Sequence, residues 1–240
     1  PPASQGLDVG CGIGLQAQML ADAVGPQGHV TAVDILPELL AHGENLAAAA
    51  GLAERITFRQ GDMQQLPFAE DSFDWAWSAD CIGYPAGELK PLLLELARVV
   101  KPGGHLAILA WSSQQVLPGH ALLEARMNAA YSSYIPYLRD KPAEQHFSRA
   151  MYWFQEAGLQ NVRAQTFVGN VSSPLKAAER AALVSLFEML WEPSQSKELA
   201  KDWLACQQLC RPGSPDFILD IPGYHAFFTY TMFWGKVPLR

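Results

Sequence analysis

The stretch that most constrains this chain is "LDVGCGIG", residues 7–14, where three alternating glycines follow a short apolar run. An acid, Asp8, stands two places before the first of them. Glycines at 10, 12 and 14 let the backbone turn sharply and let a ligand approach it closely. A helix that starts straight after such a turn presents free N–H groups, which favour an anion. A dinucleotide-binding turn would need G-x-G-x-x-G, but position 15 is Leu and the third glycine comes one residue early. The chain therefore has a D-x-G-x-G-x-G turn between a buried strand and a helix.

The segments on either side of the turn fix the fold class. Residues 6–9 read as a strand and Leu15 to Val24 as a helix, with "HVTAVDI" (29–35) a second strand rich in β-branched residues. A helix over 37–50 has Pro37 in its first turn and Gly51 just past its end, both favoured positions. Strands are expected at 55–60 and 72–78, a helix at 87–100, a turn at "KPGG" and a strand at 105–111. Strand and helix alternating at this spacing give a parallel sheet covered on both faces. The second half is less regular. An amphipathic helix is expected over 143–159, a strand over 160–171, helices over 175–192 and 195–210, and a long last strand over 225–237. Tyr131, Tyr134 and Tyr137 recur at helical spacing. The chain is expected to be one domain, with 112–145 and 172–224 interrupting the alternation as caps over a site.

Two more acids fall on the carboxyl edge of such a sheet. Asp34 ends the second strand, twenty positions past Gly14, where an acid can clamp vicinal ribose hydroxyls. Asp62 follows the third strand in "GDMQQLPF", placed to accept a hydrogen bond from an adenine amino group. Ile35 and Met63 offer apolar surface to the two faces of that base.

In this order "LDVGCGIG", "VTAVDI", "GDMQQLPF", "DSFDWAWS" and "LARVVKPGGHLAI" resemble the motifs of class I S-adenosylmethionine-dependent methyltransferases. The likeness covers about residues 6–111 and is greatest to the group containing ubiquinone and menaquinone biosynthesis enzymes. It implies an α/β, Rossmann-like three-layer fold with a seven-stranded sheet in order 3-2-1-4-5-7-6, the last strand antiparallel, and helical cap insertions. It implies S-adenosylmethionine as cofactor and S-adenosylhomocysteine as product. Gly10, Cys11, Gly12 and Gly14 would cradle the methionyl end, Asp34 would hold the ribose, and Ile35, Asp62 and Met63 the adenine. The Ser78 carbonyl would meet the cofactor's amino group, and Asp8 would organise the glycine loop through backbone or water contacts.

The acceptor is less legible, because the cofactor carries the difficult chemistry and the protein mainly aligns the partner. "ADCIGYP" (79–85) should line the mouth near the methyl group, so Cys81 and Tyr84 are candidate acceptor contacts, with Trp111 from the aromatic-rich half. That half suggests a pocket for a hydrophobic or aromatic small molecule, with an aromatic cage for a cationic amine as the narrower rival. No catalytic base stands out among His120, His146 and His225; His29, His42 and His105 lie on the early units, without an evident role.

Composition narrows the remaining classes. A net charge of -7 argues against a nucleic-acid partner, which usually needs a basic face. The four cysteines are too few for a disulfide framework. Cys206 and Cys210 share a helical face without completing a metal site. No membrane span or signal peptide is visible, so a reduced, cytoplasmic enzyme is expected. "PPASQ" is expected to open the visible part of a longer chain whose preceding segment is a lid, disordered without ligands. Two rival functions remain: a nicotinamide-dependent oxidoreductase, and a non-catalytic binding protein with this fold.

Overall fold

A computed structural model describes residues 1–82, 89–131, 142–191 and 200–239. Tyr84, Tyr134, Tyr137 and positions 87–88 of the expected third helix lie outside the described residues.

Seven strands form one sheet: β1 (Gln5–Val9), β2 (His29–Asp34), β3 (Ile56–Gln60), β4 (Phe73–Ala79), β5 (Val100–Gln115), β6 (Gln160–Ser172) and β7 (His225–Lys236). Their order is β3-β2-β1-β4-β5-β7-β6, the order that the resemblance implies. β3, β2, β1, β4 and β5 are parallel neighbours. β7 runs against β5: Val237 exchanges backbone bonds with Gly103 and Gly104, and Thr229 meets Ser112, so numbers fall on one strand as they rise on the other.

The helices are α1 (Leu15–Val24), α2 (Pro37–Ala49), α3 (Leu89–Val99), α4 (Ala121–Tyr131), α5 (Ala150–Glu156), α6 (Ala177–Leu190) and α7 (Ala200–Cys210). From β1 the chain steps outward through α1, β2, α2 and β3, then returns to β4 on the other side of β1. Right-handed crossovers therefore put α1 and α2 on one face and α3 on the other. The reversal between β1 and β4 leaves a crevice at their carboxyl ends, where open sheets of this kind bind ligands.

The chain divides into two compact units. One comprises 1–110, 142–165 and 231–240; the other comprises 111–141 and 166–230. In the first, small residues on α1 and α2 (Ala17, Ala21 and Ala47) pack with Val30, Ala32, Ile56 and Trp75. Leu92, Leu93 and Leu96 of α3 and Trp153 and Phe154 of α5 are also buried. The second unit has its own core, built from Leu123 and Met127 of α4, Phe187 of α6, Cys206 and Leu209 of α7, and Trp191, Phe217 and Tyr224.

Two expectations need correction. The helix expected over 143–159 is mostly replaced by two 3₁₀ turns, Ala143–Gln145 and Phe147–Arg149, and the short α5. His146 between them is extended, and its Nδ1 accepts from the Ser148 amide, so the side chain caps a new turn rather than continuing the old helix. "KPGG" is not a turn before a strand but part of β5. The register against β4 jumps from Phe73↔Val100 to Trp75↔His105, so these residues bulge, with Gly103 at φ +79°. Among the described residues no helix is long and apolar enough to cross a membrane.

Candidate cofactor site

The glycine turn leaves β1 at Val9 and enters α1 at Leu15. Gly10, Gly12 and Gly14 have φ of +71°, +54° and +72°, conformations that L side chains rarely adopt. At Gly10 an added Cβ would stand 2.6 Å from the Cys81 Sγ, and at Gly14 2.6 Å from the Phe58 ring. At Gly12 it would meet nothing within 4 Å. The turn is thus packed from below at its two ends and open at its middle. The amides of Gly10 and Cys11 both donate to the Val33 carbonyl, at 2.8 and 3.0 Å, which ties the turn to β2. α1 begins without a side-chain cap or an acid in its first turn, which suits an incoming anionic group.

Asp34 lies at the end of β2 and braces this arrangement. Its Oδ2 accepts from the Gly12 amide at 2.8 Å and its Oδ1 from the Leu36 amide at 3.0 Å. Each carboxylate oxygen retains a lone pair, so Asp34 can accept hydroxyl donors while holding the turn.

Asp8 is 1% exposed, and its Oδ2 has no hydrogen-bond partner among the described residues. Burial, and then the nearby charge of Asp34, raise its pKa to about 7. The thiols beside the turn are held neutral. Cys81 is pushed up to about 12 by burial, with Asp34, Asp8 and Asp80 adding to it, and Cys11 is raised for the same leading reason. Cys81 therefore packs beneath Gly10 as a thiol rather than offering a thiolate.

The adenine candidates come from neighbouring loops. The Gly61 amide donates to the Asp34 carbonyl and the Gln60 Nε2 to the Ile35 carbonyl, both at 3.0 Å, so the ends of β2 and β3 are stitched side by side. Ile35 is 58% exposed, an unusual position for an isoleucine. Asp62 is exposed; its Oδ1 accepts from the Gln64 amide, leaving the other oxygen for a ligand. The Met63 methyl lies 3.4 Å from where a Gly10 Cβ would stand. Ser78, next to last in β4, is buried, and its Oγ has no partner among the described residues.

Asp8, the three glycines, Cys11, Asp34, Met63 and Cys81 are therefore brought to one turn; Ile35 follows Asp34 beside the end of β3, Asp62 stands just past β3, and Ser78 stands near the end of β4. Trp111 belongs to the other unit, where it stacks on Phe228 with centroids 5.3 Å apart and meets the Tyr230 ring edge at 5.2 Å. His29 and His225 are occupied by Thr57 and Ser172.

Sequence reasoning passed over the supports. Phe58 fills the space under Gly14 and would also collide with a Cβ at Gly43 of α2. Glu95 and Arg98 of α3 hold the loop after Met63: Glu95 accepts from the Leu66 amide at 2.7 Å, and Arg98 donates to the carbonyls of Phe68 and Leu66. An acid and a base three residues apart, just before "KPGG", were the available signal.

Known proteins share this sequence and this fold. Residues 7–104 match a family model described as "Methyltransferase domain". The demethylmenaquinone methyltransferase of Staphylococcus aureus is 30% identical over 192 residues, covering 71% of this chain and 73% of that protein. A probable chloroplastic tocopherol O-methyltransferase of rice is 33% identical over 118 residues, covering 49% of this chain and 32% of the rice protein. A crystal structure of a putative methyltransferase from Bacillus halodurans shares the fold, with a TM-score of 0.55 at 18% identity over 98% of this chain and 93% of that one.

Proposed function

The chain belongs to the class I S-adenosylmethionine-dependent methyltransferases and is an enzyme acting on small molecules; from that premise we propose that its acceptor is hydrophobic and aromatic. The observation that carries the cofactor assignment is the turn itself, open at Gly12 and braced there by Asp34. The Asp34 carboxylate beside a side-chain-free turn suits a ligand carrying a sulfonium and an ammonium group better than the doubly charged pyrophosphate of a nicotinamide cofactor.

In this reading the backbone of Gly10, Cys11, Gly12 and Gly14 holds the methionyl end. Asp34 holds the ribose hydroxyls; Asp62, Ile35 and Met63 hold the adenine; and the Ser78 carbonyl meets the amino group. Asp8 keeps the turn in shape. When bound, the cofactor supplies a methyl carbon already activated by its sulfonium. The chain's own task is to fix the acceptor in line and exclude water. Acceptor recognition falls to Cys81, Tyr84 and Trp111 and to the segments 112–145 and 172–224, and a cytoplasmic location goes with the same reading.

An aromatic acceptor is supported by the aromatic cluster around Trp111 and by the names of the two relatives. The test is formation of S-adenosylhomocysteine by the purified chain with a demethylmenaquinol, a tocopherol-type phenol and a set of small aliphatic amines. Turnover with the aromatic compounds is expected. Turnover confined to the amines would overturn the acceptor assignment and leave the cofactor assignment standing.

A further inference from the structure

The acid nearest the root of the glycine turn is buried without a counter-charge. Asp8 lies inside β1, opposite Ala32 of β2 and Trp77 of β4, and is 1% exposed. Among the described residues its Oδ2 has no hydrogen-bond partner and no positive group acts on it. The titratable groups around it are all acids: Asp34 at the end of β2, Cys11 in the turn, and Cys81 past β4 with Asp80 beside it. A carboxylate taken out of water and left unpaired is so costly that the group keeps its proton instead.

A buried acid kept for structure looks different. Glu124 in the second unit is 3% exposed, and its two oxygens accept from the Val116 and Leu117 amides at 2.8 and 3.0 Å. Asp34 likewise gives one oxygen to the Gly12 amide and the other to the Leu36 amide. A buried oxygen left unpaired costs stability, and native chains rarely retain one. Asp8 retains one directly before a turn whose middle, at Gly12, is open to a ligand. The partner that satisfies it therefore arrives with the ligand.

Resting on the reading of this turn as the S-adenosylmethionine site, we propose that Asp8 is the residue that tells the sulfonium cofactor from its thioether product, releasing its proton to solvent when the first binds and keeping it when the second binds. A cation brought to a buried carboxyl favours the ionised form, and the sulfonium is a positive charge that the thioether lacks. Ribose, adenine, amino group and carboxylate are common to both compounds, so the contacts of Asp34, Asp62 and the turn are common too. A ligand that favours the ionised acid binds more tightly as pH rises, until the acid of the free chain has itself ionised. Preference for cofactor over product should therefore grow up to about pH 7, where free Asp8 loses its proton, and level off above it.

The test titrates the full chain with S-adenosylmethionine and with S-adenosylhomocysteine in a calorimeter at pH 6, in buffers of different ionisation enthalpy. The dependence of the heat on the buffer counts the protons released. About 0.8 proton should leave per S-adenosylmethionine bound, and less than about 0.3 per S-adenosylhomocysteine. Between pH 5.5 and 7.5 the ratio of the two affinities should shift about tenfold toward the cofactor; the ligands' shared amino group drops out of that ratio. In Asp8→Asn, which keeps the shape and cannot ionise, the proton release should vanish and the ratio should stay flat. Asp62→Asn, at an exposed acid, should leave the proton counts as in the wild type. Should Asp8→Asn fail to fold or bind, carbon-13 resonances of labelled aspartate in the wild type decide: the Asp8 carboxyl should titrate near pH 7 in the free chain and with S-adenosylhomocysteine bound, and below pH 6 with S-adenosylmethionine bound. Equal proton counts for the two ligands, or release undiminished in Asp8→Asn, overturn the proposal and leave the cofactor site in place. Failure of the chain to bind S-adenosylmethionine at all refutes the site reading and the proposal with it.

Discussion

Replacing Asp8 by asparagine should flatten the pH dependence of stability. In the folded chain Asp8 holds its proton up to about pH 7, against 3.8 for an ordinary aspartate. Burial is the leading cause, with the Asp34 charge second. Between those two values the unfolded chain has released a proton that the folded chain still binds. Stability must therefore fall as pH rises, by about 1.4 kcal/mol per unit, and level off above pH 7. The full interval of a little over three units corresponds to about 4 kcal/mol, a large share of the 5–15 kcal/mol typical of a domain. Asp8→Asn cannot ionise, so this contribution vanishes whatever the amide costs elsewhere. Urea denaturation of both proteins at pH 5, 6, 7 and 8 isolates the effect. From pH 5 to 7 the wild type should lose about 2 kcal/mol more than the variant, with little further divergence by pH 8. Parallel curves for the two proteins would refute the reasoning, because they would mean that Asp8 is already ionised at pH 5.

Three further outcomes are expected at the site. Asp34→Ala should weaken S-adenosylmethionine binding by about 1–3 kcal/mol in calorimetry, since charge-assisted bonds to the ligand are lost and the Gly12 amide is released; unchanged affinity would remove Asp34 from the site. Gly10→Ala should destabilise the fold by about 2–4 kcal/mol, from its positive φ and from the Cβ set 2.6 Å from the Cys81 Sγ. Adding Cys81→Ala should recover part of that cost in thermal denaturation, whereas strictly additive effects would show that the two residues do not touch. Arg98→Leu frees the carbonyls of Leu66 and Phe68, and should lower cofactor affinity by about 1–2 kcal/mol through the loop that carries Asp62 and Met63, as read by titration calorimetry.

The first half of the sequence was legible because its constraints are local. A glycine turn after an apolar run, a β-branched strand ending in an acid, and Pro37 and Gly51 around α2 each state their own structure, and β1 to β4 fall within a residue of their expected positions. Local reasoning failed where a side chain chose between two local structures. His146 could continue a helix or cap a turn, and it caps. "KPGG" could be a turn or a bulge, and pairing with β4 made it a bulge. The supports of the site were invisible for a different reason. Phe58 under Gly14, and Arg98 reaching back about thirty residues to Phe68, are long-range contacts with no periodicity of their own. The acceptor side is hard to read because methyl transfer asks little of it: shape and orientation suffice, and many apolar surfaces supply them.

The central claim is that the bend after β1 carries a sulfonium nucleoside. A crystal structure of the chain with S-adenosylmethionine tests it most directly: the ribose hydroxyls should lie within hydrogen-bonding distance of Asp34 and the methionyl group along Gly10 to Gly14. Electron density for the cofactor elsewhere, with the bend at Gly12 left bare, would contradict the account.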